Sequence, residues 1–309
     1  MKVSEKTKVA VLGAINIDFV VNSDTLPRPG ETVRGTEFNQ FPGGKGANQA
    51  VAAAKLGGTV TMVGAVGNDM FGRTLLDNLR KYAIDTGYVR ELPTSSGIAL
   101  ILVDRKGQNL ISFVSGANGI VDRSMVDDAR EVIAGADVLL LQLECPVETV
   151  EYAVRAAHSL GTDVILNPAP ASSVSDETLK QCAVVMPNET EAEILTGIEV
   201  TDEKTAFDAA SRLLKKGSKR AIITLGEKGA FLLENAGEKG RLIPAPKVDS
   251  IDAVAAGDVF AGALAVQLGR GVKLDEAVFF ANHAAALSTT KNGAQPSIPA
   301  LKDVLAFIG

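Results

Sequence analysis

The chain contains no tryptophan, three tyrosines, two histidines and two cysteines in 309 residues. Each scarcity removes a class of explanation. Cys145 and Cys182 are too few and too isolated for a disulfide framework or a cysteine-based zinc site. Together with an N-terminus that lacks a leader pattern, they lead us to expect a reducing, cytoplasmic setting. His158 and His283 fall in helical patterns with no nucleophile and acid around them, so both are read as structural and no Ser-His-Asp triad is assigned. No apolar run reaches the roughly 18 residues of a membrane span. Positive charge is also in deficit: 31 Lys and Arg stand against 37 Asp and Glu, a net charge of −6. That balance argues against a nucleic-acid partner. It leaves phosphate ligands open, because backbone N–H groups and a bound cation can hold them without a basic surface.

What is present is an ordinary globular composition, 46% hydrophobic and 22% charged, with 30 glycines. There is no repeat, low-complexity tract or Pro/Ser-rich linker. Short β-type runs alternate with helical patterns. "KVAVLGAI" (Lys8–Ile15) reads as a buried strand, "ANQAVAAAKLG" as a small-residue helix, "TVTMVGAVG" as a strand and "FGRTLLDNLRKY" as a helix. The rhythm returns in "DVLLLQL", "VETVEYAVRAAHSLG", "TDVILNPAP", "CAVVMPN", "AFDAASRLLKKG" and "KRAIITLG". We therefore expect a three-layer α/β/α fold around a mostly parallel sheet. Residues 16–41 and 94–114 break the pattern with alternating residues and turn signals such as "PRPG" and "RKGQ". They are expected to form a small extra sheet, a lid over the strand ends, on a single domain spanning 1–309. The N-terminal "MKVSEKTK" is expected to fray.

Several constellations could carry chemistry. "GGKGANQA" (Gly43–Ala50) offers glycines and a following helix start. It is neither a Walker loop, since Gly46 follows Lys45, nor a dinucleotide fingerprint, since Gln49 replaces the third glycine. A helix-start turn and a ligand loop are equally good readings of it. Asn16 and Asp18 follow the first strand; an Asx turn is the simpler reading, and a polyol contact suits the same pair. Glu144 ends "VLLLQLE" as a cap, a ligand contact or a solvated acid. In "MPNETEAEILTG", Asn188 and Glu191 fit a capping box, with Mg²⁺-water ordering by Glu191 as the alternative. Thr224 and Gly226 in "ITLGEKGA" suit a hairpin or a nucleotide-contacting loop.

The segment "DAVAAGD" (Asp252–Asp258) places two acids around small residues at the start of an apolar helix. Acids near a helix N-terminus are ordinary punctuation. The same turn would also serve as a catalytic carboxylate beside an anion pocket of backbone N–H groups, which is what phosphoryl transfer requires.

Together, "GAINIDFV", "PGGKGANQA", "NPAP", "PNETEAE", "DAVAAGD" and "GAQPSIP" resemble, in order and over nearly the whole chain, the ribokinase-type carbohydrate kinase family. Within it, the lysine of "GGKGAN" is the residue of ribose-type members; fructose- and adenosine-phosphorylating relatives usually carry another. The resemblance implies phosphorylation of D-ribose at its 5-hydroxyl by ATP, with Asp258 as base. Ala255, Ala256 and Gly257 would form the anion hole. Asn16, Asp18, Gly44, Lys45, Asn48 and Glu144 would hold the sugar with Asp258. Asn188, Glu191, Thr224 and Gly226 would serve ATP and Mg²⁺, with Asn282 near the adenine. A potassium ion would sit by Asp252, Val254, Ser288, Lys291, Gly293 and Ser297. The resemblance also implies a homodimer through the lid. One departure stands out: Ala253 and Val254 occupy positions where the family usually has threonines, and Val259 replaces a third. The alternatives are a kinase for deoxyribose, another sugar or a nucleoside, and a sugar-binding protein that has lost catalysis.

Overall fold

A computed structural model describes residues 6–309; most of the N-terminal stretch expected to fray, Met1–Glu5, lies outside the described residues. The strands in chain order are β1 (Lys8–Leu12), β2 (Asn16–Ser23), β3 (Gly35–Gly43), β4 (Thr59–Gly67), β5 (Asp85–Leu92), β6 (Gly97–Val103) and β7 (Asn109–Val114). They continue as β8 (Val138–Leu141), β9 (Asp163–Leu166), β10 (Val184–Val185), β11 (Ala221–Thr224), β12 (Ala230–Leu233) and β13 (Arg241–Ile243). Nine of them form one sheet in the order β13-β12-β11-β10-β9-β8-β1-β4-β5. The run from β5 to β11 is parallel, and β12 and β13 close one edge as antiparallel strands.

The burial pattern explains the three layers. Along β1, Val9 and Val11 enter one apolar cluster while Ala10 and Leu12 enter another, so successive side chains feed opposite faces of the sheet. From Val9 to Leu12 the strand is apolar at every position, as central parallel strands are. One face is covered by the helices Lys45–Lys55, Met70–Lys81, Ala256–Gly269 and Leu274–Ser288. The other is covered by Val147–Leu160, Asp176–Gln181 and Glu203–Lys215, among others. The helix Ala256–Gly269 is apolar all round and buried from Asp258 to Gln267. It is packed between its helical neighbours and the sheet, which is where an all-apolar helix belongs. Its Gly262 permits the contact with Lys45–Lys55: a Cβ there would lie 2.7 Å from the Ala52 Cβ and 2.8 Å from the Gln49 carbonyl oxygen.

The two regions that break the alternation form a separate four-stranded sheet, β3-β2-β6-β7. It is antiparallel except between β2 and β6, which run parallel. The first strand is shorter than its apolar run: it stops at Leu12, and Gly13–Ile15 turn into the small sheet. In "ITLGEKGA" β11 pairs antiparallel with β12, so the segment forms a hairpin whose connection carries Gly226. Strand β5, strand β13 and the helix Leu301–Ile308 are elements that the periodicity did not single out.

Candidate active site

The carboxyl ends of the parallel strands collect the polar residues of the chain. Asn16 and Asp18 stand just after β1, Glu144 after β8, Asn167 after β9, Asn188 after β10 and Thr224 at the end of β11. Open α/β sheets place their ligand crevice at this edge. Two helix starts face it, those of Lys45–Lys55 and Ala256–Gly269. The first has no acid in its own first turn. Glu144 supplies one from a neighbouring strand, its Oε2 accepting the Lys45 backbone N–H at 2.8 Å.

Backbone geometry makes the crevice narrow. Gly44 has a φ of 86°, and a Cβ there would fall 2.6 Å from the Ala14 carbonyl oxygen. A Cβ on Gly43 would lie 2.1 Å from Asp18 Oδ2. The glycine pair thus lets Asp18 pack directly against the turn.

Asp258 sits in the first turn of its helix and is buried. Its Oδ2 accepts from Asn48 Nδ2 and its Oδ1 from Gln49 Nε2, both at 3.0 Å. Charge and burial act together around it. Asp18 is pushed up from 3.8 to about 7, chiefly by burial, with Glu144 and Asp258 adding repulsion. Glu144 is also raised by burial, against the opposing pull of the Lys45 N–H and ammonium. Lys45 is held charged: Asp258, and then Glu144 and Glu191, raise its pKa against the cost of burial. Glu191 is raised by burial, an effect opposed by the Asn188 N–H and by Lys45. These mutual influences place Asp18, Lys45, Glu144, Glu191 and Asp258 within electrostatic reach of one another.

Ala255 caps the Asp258 helix in the left-handed region, φ 62°, and the Ala256 N–H turns back to the Ala253 carbonyl at 3.2 Å. Gly257 is exposed, and a Cβ built on it would meet nothing within 4 Å. The helix N-terminus therefore opens onto free space beside Asp258. Such a cradle fits an anionic phosphoryl group. Asn188 and Glu191 form the expected capping box, with reciprocal bonds of 2.9 and 2.8 Å. Thr224 is bridged to Asn188, so the two stand side by side. Gly226 follows on the rim with φ 54° and open space where a Cβ would be. Asn282 is buried and donates to the Ile243 carbonyl at 2.8 Å, tying the end of β13 to its helix.

Of the residues expected around a monovalent cation, Asp252 and Gly293 are brought into contact. Asp252 Oδ2 accepts the Gly293 N–H at 2.8 Å and Oδ1 accepts the Val254 N–H at 2.9 Å. The Ile251 and Asp252 N–H groups both donate to the Thr289 carbonyl, which draws Ser288 to the same turn. Ser288 and Ser297 are buried with their hydroxyls on the Ala285 and Ala294 carbonyls, and Lys291 is exposed. A turn of carbonyls and one carboxylate is the donor chemistry that suits a hard cation. For Mg²⁺ the fit is of a different kind. Among the described residues no group of three or more His, Cys, Asp or Glu side chains is placed to hold a metal. Glu191 alone, with waters and nucleotide phosphates, matches the way Mg²⁺ is usually held.

Sequence reasoning missed a set of amides, all buried but the half-buried Asn78. Gln49 lies in the quoted glycine-rich motif and Asn167 in "NPAP", yet neither was singled out. Gln142, Gln295, Asn78 and Asn118 complete the set. Asn118 Nδ2 donates to Asn16 Oδ1 at 2.8 Å and so orients that side chain. The available signal was a glutamine in an otherwise small and apolar helix face.

The model of the pfkB family carbohydrate kinases matches residues 6–301. The ribokinase of Haemophilus influenzae is 43% identical, the match covering 97% of this chain and 98% of that protein. A deoxyribokinase of Salmonella typhi is 38% identical over 97% of this chain and 98% of its own length. Among solved structures, the Arabidopsis thaliana ribokinase complexed with ribose and ATP superposes with a TM-score of 0.91 at 33% identity, covering 98% of this chain and 99% of that one. With the fold, the strand-end crevice and the order of its motifs all in agreement, the chain belongs to the pfkB family of carbohydrate kinases.

Proposed function

We propose that this chain transfers the γ-phosphoryl group of ATP to the 5-hydroxyl of D-ribose, giving D-ribose 5-phosphate. The observation that carries this reading is the position of Asp258. It is a buried carboxylate, in the first turn of a helix whose N-terminus opens onto free space, beside Lys45, Asp18 and Glu144. Asp18, Glu144, Lys45, Asn48, Asn16 and the Gly44 backbone hold the sugar. Asp258 takes the proton of the hydroxyl as its oxygen attacks phosphorus, and the base contributes about 10²–10⁴-fold. The Ala255–Gly257 turn faces the transferred group and balances its charge. Asn188, Glu191, Thr224 and Gly226 line the nucleotide side, with Asn282 toward the adenine. Mg²⁺, ordered through Glu191, neutralises charge on the phosphates when bound. The turn built by Asp252, Val254, Ser288, Lys291, Gly293 and Ser297 would take potassium and steady the Ala255–Asp258 segment. We further read the chain as one domain carrying the four-stranded sheet as a lid, working in the cytoplasm as a homodimer.

The replacement of two family threonines by Ala253 and Val254 does not argue for lost catalysis. Both residues are exposed, so the missing hydroxyls leave no buried partner unpaired. A second reading, deoxyribose as the acceptor, is favoured by the 38% identity to a deoxyribokinase. An ADP-release assay across D-ribose, deoxyribose, other sugars and nucleosides decides between them through kcat/KM. The expected result is highest kcat/KM with D-ribose; a tenfold or greater preference for another acceptor overturns the substrate. Asp258→Asn is expected to lower kcat by about 10²–10⁴-fold and to leave the Kd for sugar within a few-fold. A variant with near-normal kcat would remove Asp258 as base.

A further inference from the structure

Behind Asp258 the amides form a network whose directions are fixed by groups that can only accept. The Met186 carbonyl accepts from Asn167 Nδ2 at 3.1 Å, which turns Asn167 Oδ1 toward Gln49. Gln49 must then present its NH₂ group, and Nε2 donates to Asn167 Oδ1 and to Asp258 Oδ1, each at 3.0 Å. That leaves Gln49 Oε1 to accept from Gln142 Nε2 at 2.6 Å. Both protons and the carbonyl of the Gln49 amide are used, and the residue is 0% exposed. It cannot turn without stranding a buried polar group, which is costly.

The other oxygen of Asp258 is held differently. Asn48 borders the crevice, and its Nδ2 donates to Asp258 Oδ2. Its Oδ1 accepts from Gln295 Nε2 at 3.1 Å, and Gln295 Oε1 accepts from Asn78 at 2.6 Å. A sugar hydroxyl arriving at Asp258 competes with Asn48 for Oδ2. It does not reach the enclosed contact between Gln49 and Oδ1.

We propose that Gln49 is a positioning residue for phosphoryl transfer, fixing the Asp258 carboxylate so that its second oxygen meets the attacking hydroxyl. This rests on the reading of Asp258 as the base. Small displacements of a reacting group can cost about 10²-fold in rate, so the effect belongs in kcat rather than in sugar binding. Four variants of the full chain test it: Gln49→Met, Gln49→Glu, Gln142→Met and Asp258→Asn. Gln49→Met keeps length and removes both donors, and Gln49→Glu is the near-isosteric second variant should methionine fail to fold. Gln142→Met removes only the donor to Gln49 Oε1 and serves as the packing control. The expected result is a kcat lower by about 10–100-fold in both Gln49 variants, with the ribose Kd by calorimetry within about threefold. Gln142 gives up one hydrogen bond and an unpartnered buried oxygen, so Gln142→Met is expected to lower the melting temperature less than Gln49→Met and to lower kcat several-fold less. At Gln49 and Gln142, three outcomes overturn the proposal: Gln49 variants with kcat within threefold of the parent, ribose Kd rising in step with the loss of kcat, or equal kcat losses at Gln142 and Gln49. If Asp258→Asn retains normal kcat, the base assignment falls and this proposal with it. If Asp258→Asn is inactive while Gln49→Met is not, only the role of Gln49 falls.

Discussion

At the scale of single residues, Asp18 carries a pH-dependent cost in stability. Its carboxyl is packed against Gly43 and near Glu144 and Asp258, and its pKa stands at about 7 instead of 3.8. Between these values the folded chain binds a proton that the unfolded chain has released. Stability therefore falls as pH rises from near 4 to near 7, and the full cost is present above about 7. Asp18→Asn removes that cost. Urea unfolding at pH 5 and pH 8 is expected to show the variant gaining stability over the parent at pH 8 and much less at pH 5. Its sugar affinity is expected to drop, because an amide accepts fewer hydroxyl protons than a carboxylate. Equal gains at the two pH values would show that the Asp18 carboxyl is not strained by its surroundings.

At the scale of elements, the helix Ala256–Gly269 sets the site by its burial. It is buried from Asp258 to Gln267, so that stretch, with Asp258 at its head, is held against the sheet edge. Gly262 is a point of close approach to the helix Lys45–Lys55, where a Cβ would lie 2.8 Å from the Gln49 carbonyl oxygen. Gly262→Val forces the two helices apart. It should destabilise the protein by about 1–3 kcal/mol in urea unfolding, as overpacking does. Because the displaced backbone carries Gln49, kcat should fall in the variant that remains folded, with ribose Kd less affected. A stability and kcat equal to the parent's would mean that the helices can separate without moving the site. The small sheet is positioned by a different device. Its β2 leaves the end of β1 through Gly13–Ile15, so Asn16 and Asp18 belong at once to the small sheet and to the crevice.

At the scale of the whole molecule, the small sheet poses the question of assembly. Phe38, Leu100, Leu110, Ile111, Phe113 and Val114 are all exposed large apolar side chains on it. The pairing of β2, β6 and β7 sets Asp18, Ala99 and Phe113 side by side, so Phe113 and Ile111 lie on the Asp18 face of the sheet, while Leu100, Leu110, Val114 and Phe38, each an odd number of register positions away, lie on the other face. So many large apolar side chains exposed on one small sheet mark it as an interaction surface. A second copy of the chain is the partner that the homodimer reading requires. Sedimentation is expected to give twice the chain mass for the parent and a monomer for Ile111→Lys, with the ribose KM raised in the monomer. A monomeric parent, or a dimeric Ile111→Lys, would place the contact elsewhere. Among the described residues no helix is long and apolar enough to cross a membrane.

The amino-acid pattern by itself determined the alternating architecture, because a strand buried on both faces and an amphipathic helix have different periods. It also marked Lys45, Asn188 with Glu191, and Asp258 as candidates, because glycine-rich turns and capping residues are local events that neighbouring residues specify. It marked residues 16–41 and 94–114 as something apart, since turn-rich alternating segments do not continue a parallel sheet. What it did not determine is the direction of each amide around Asp258. Gln49, Asn167, Gln142 and Gln295 come from four separate segments. In sequence each is one unremarked polar residue. Only the tertiary fold brings them within hydrogen-bond distance, and only the fixed acceptors there, the Met186 carbonyl and the Asp258 carboxylate, decide which way each amide faces. The same holds for Asp18: its composition is that of any aspartate, and its raised pKa comes wholly from burial and from acids that the fold carries to its side.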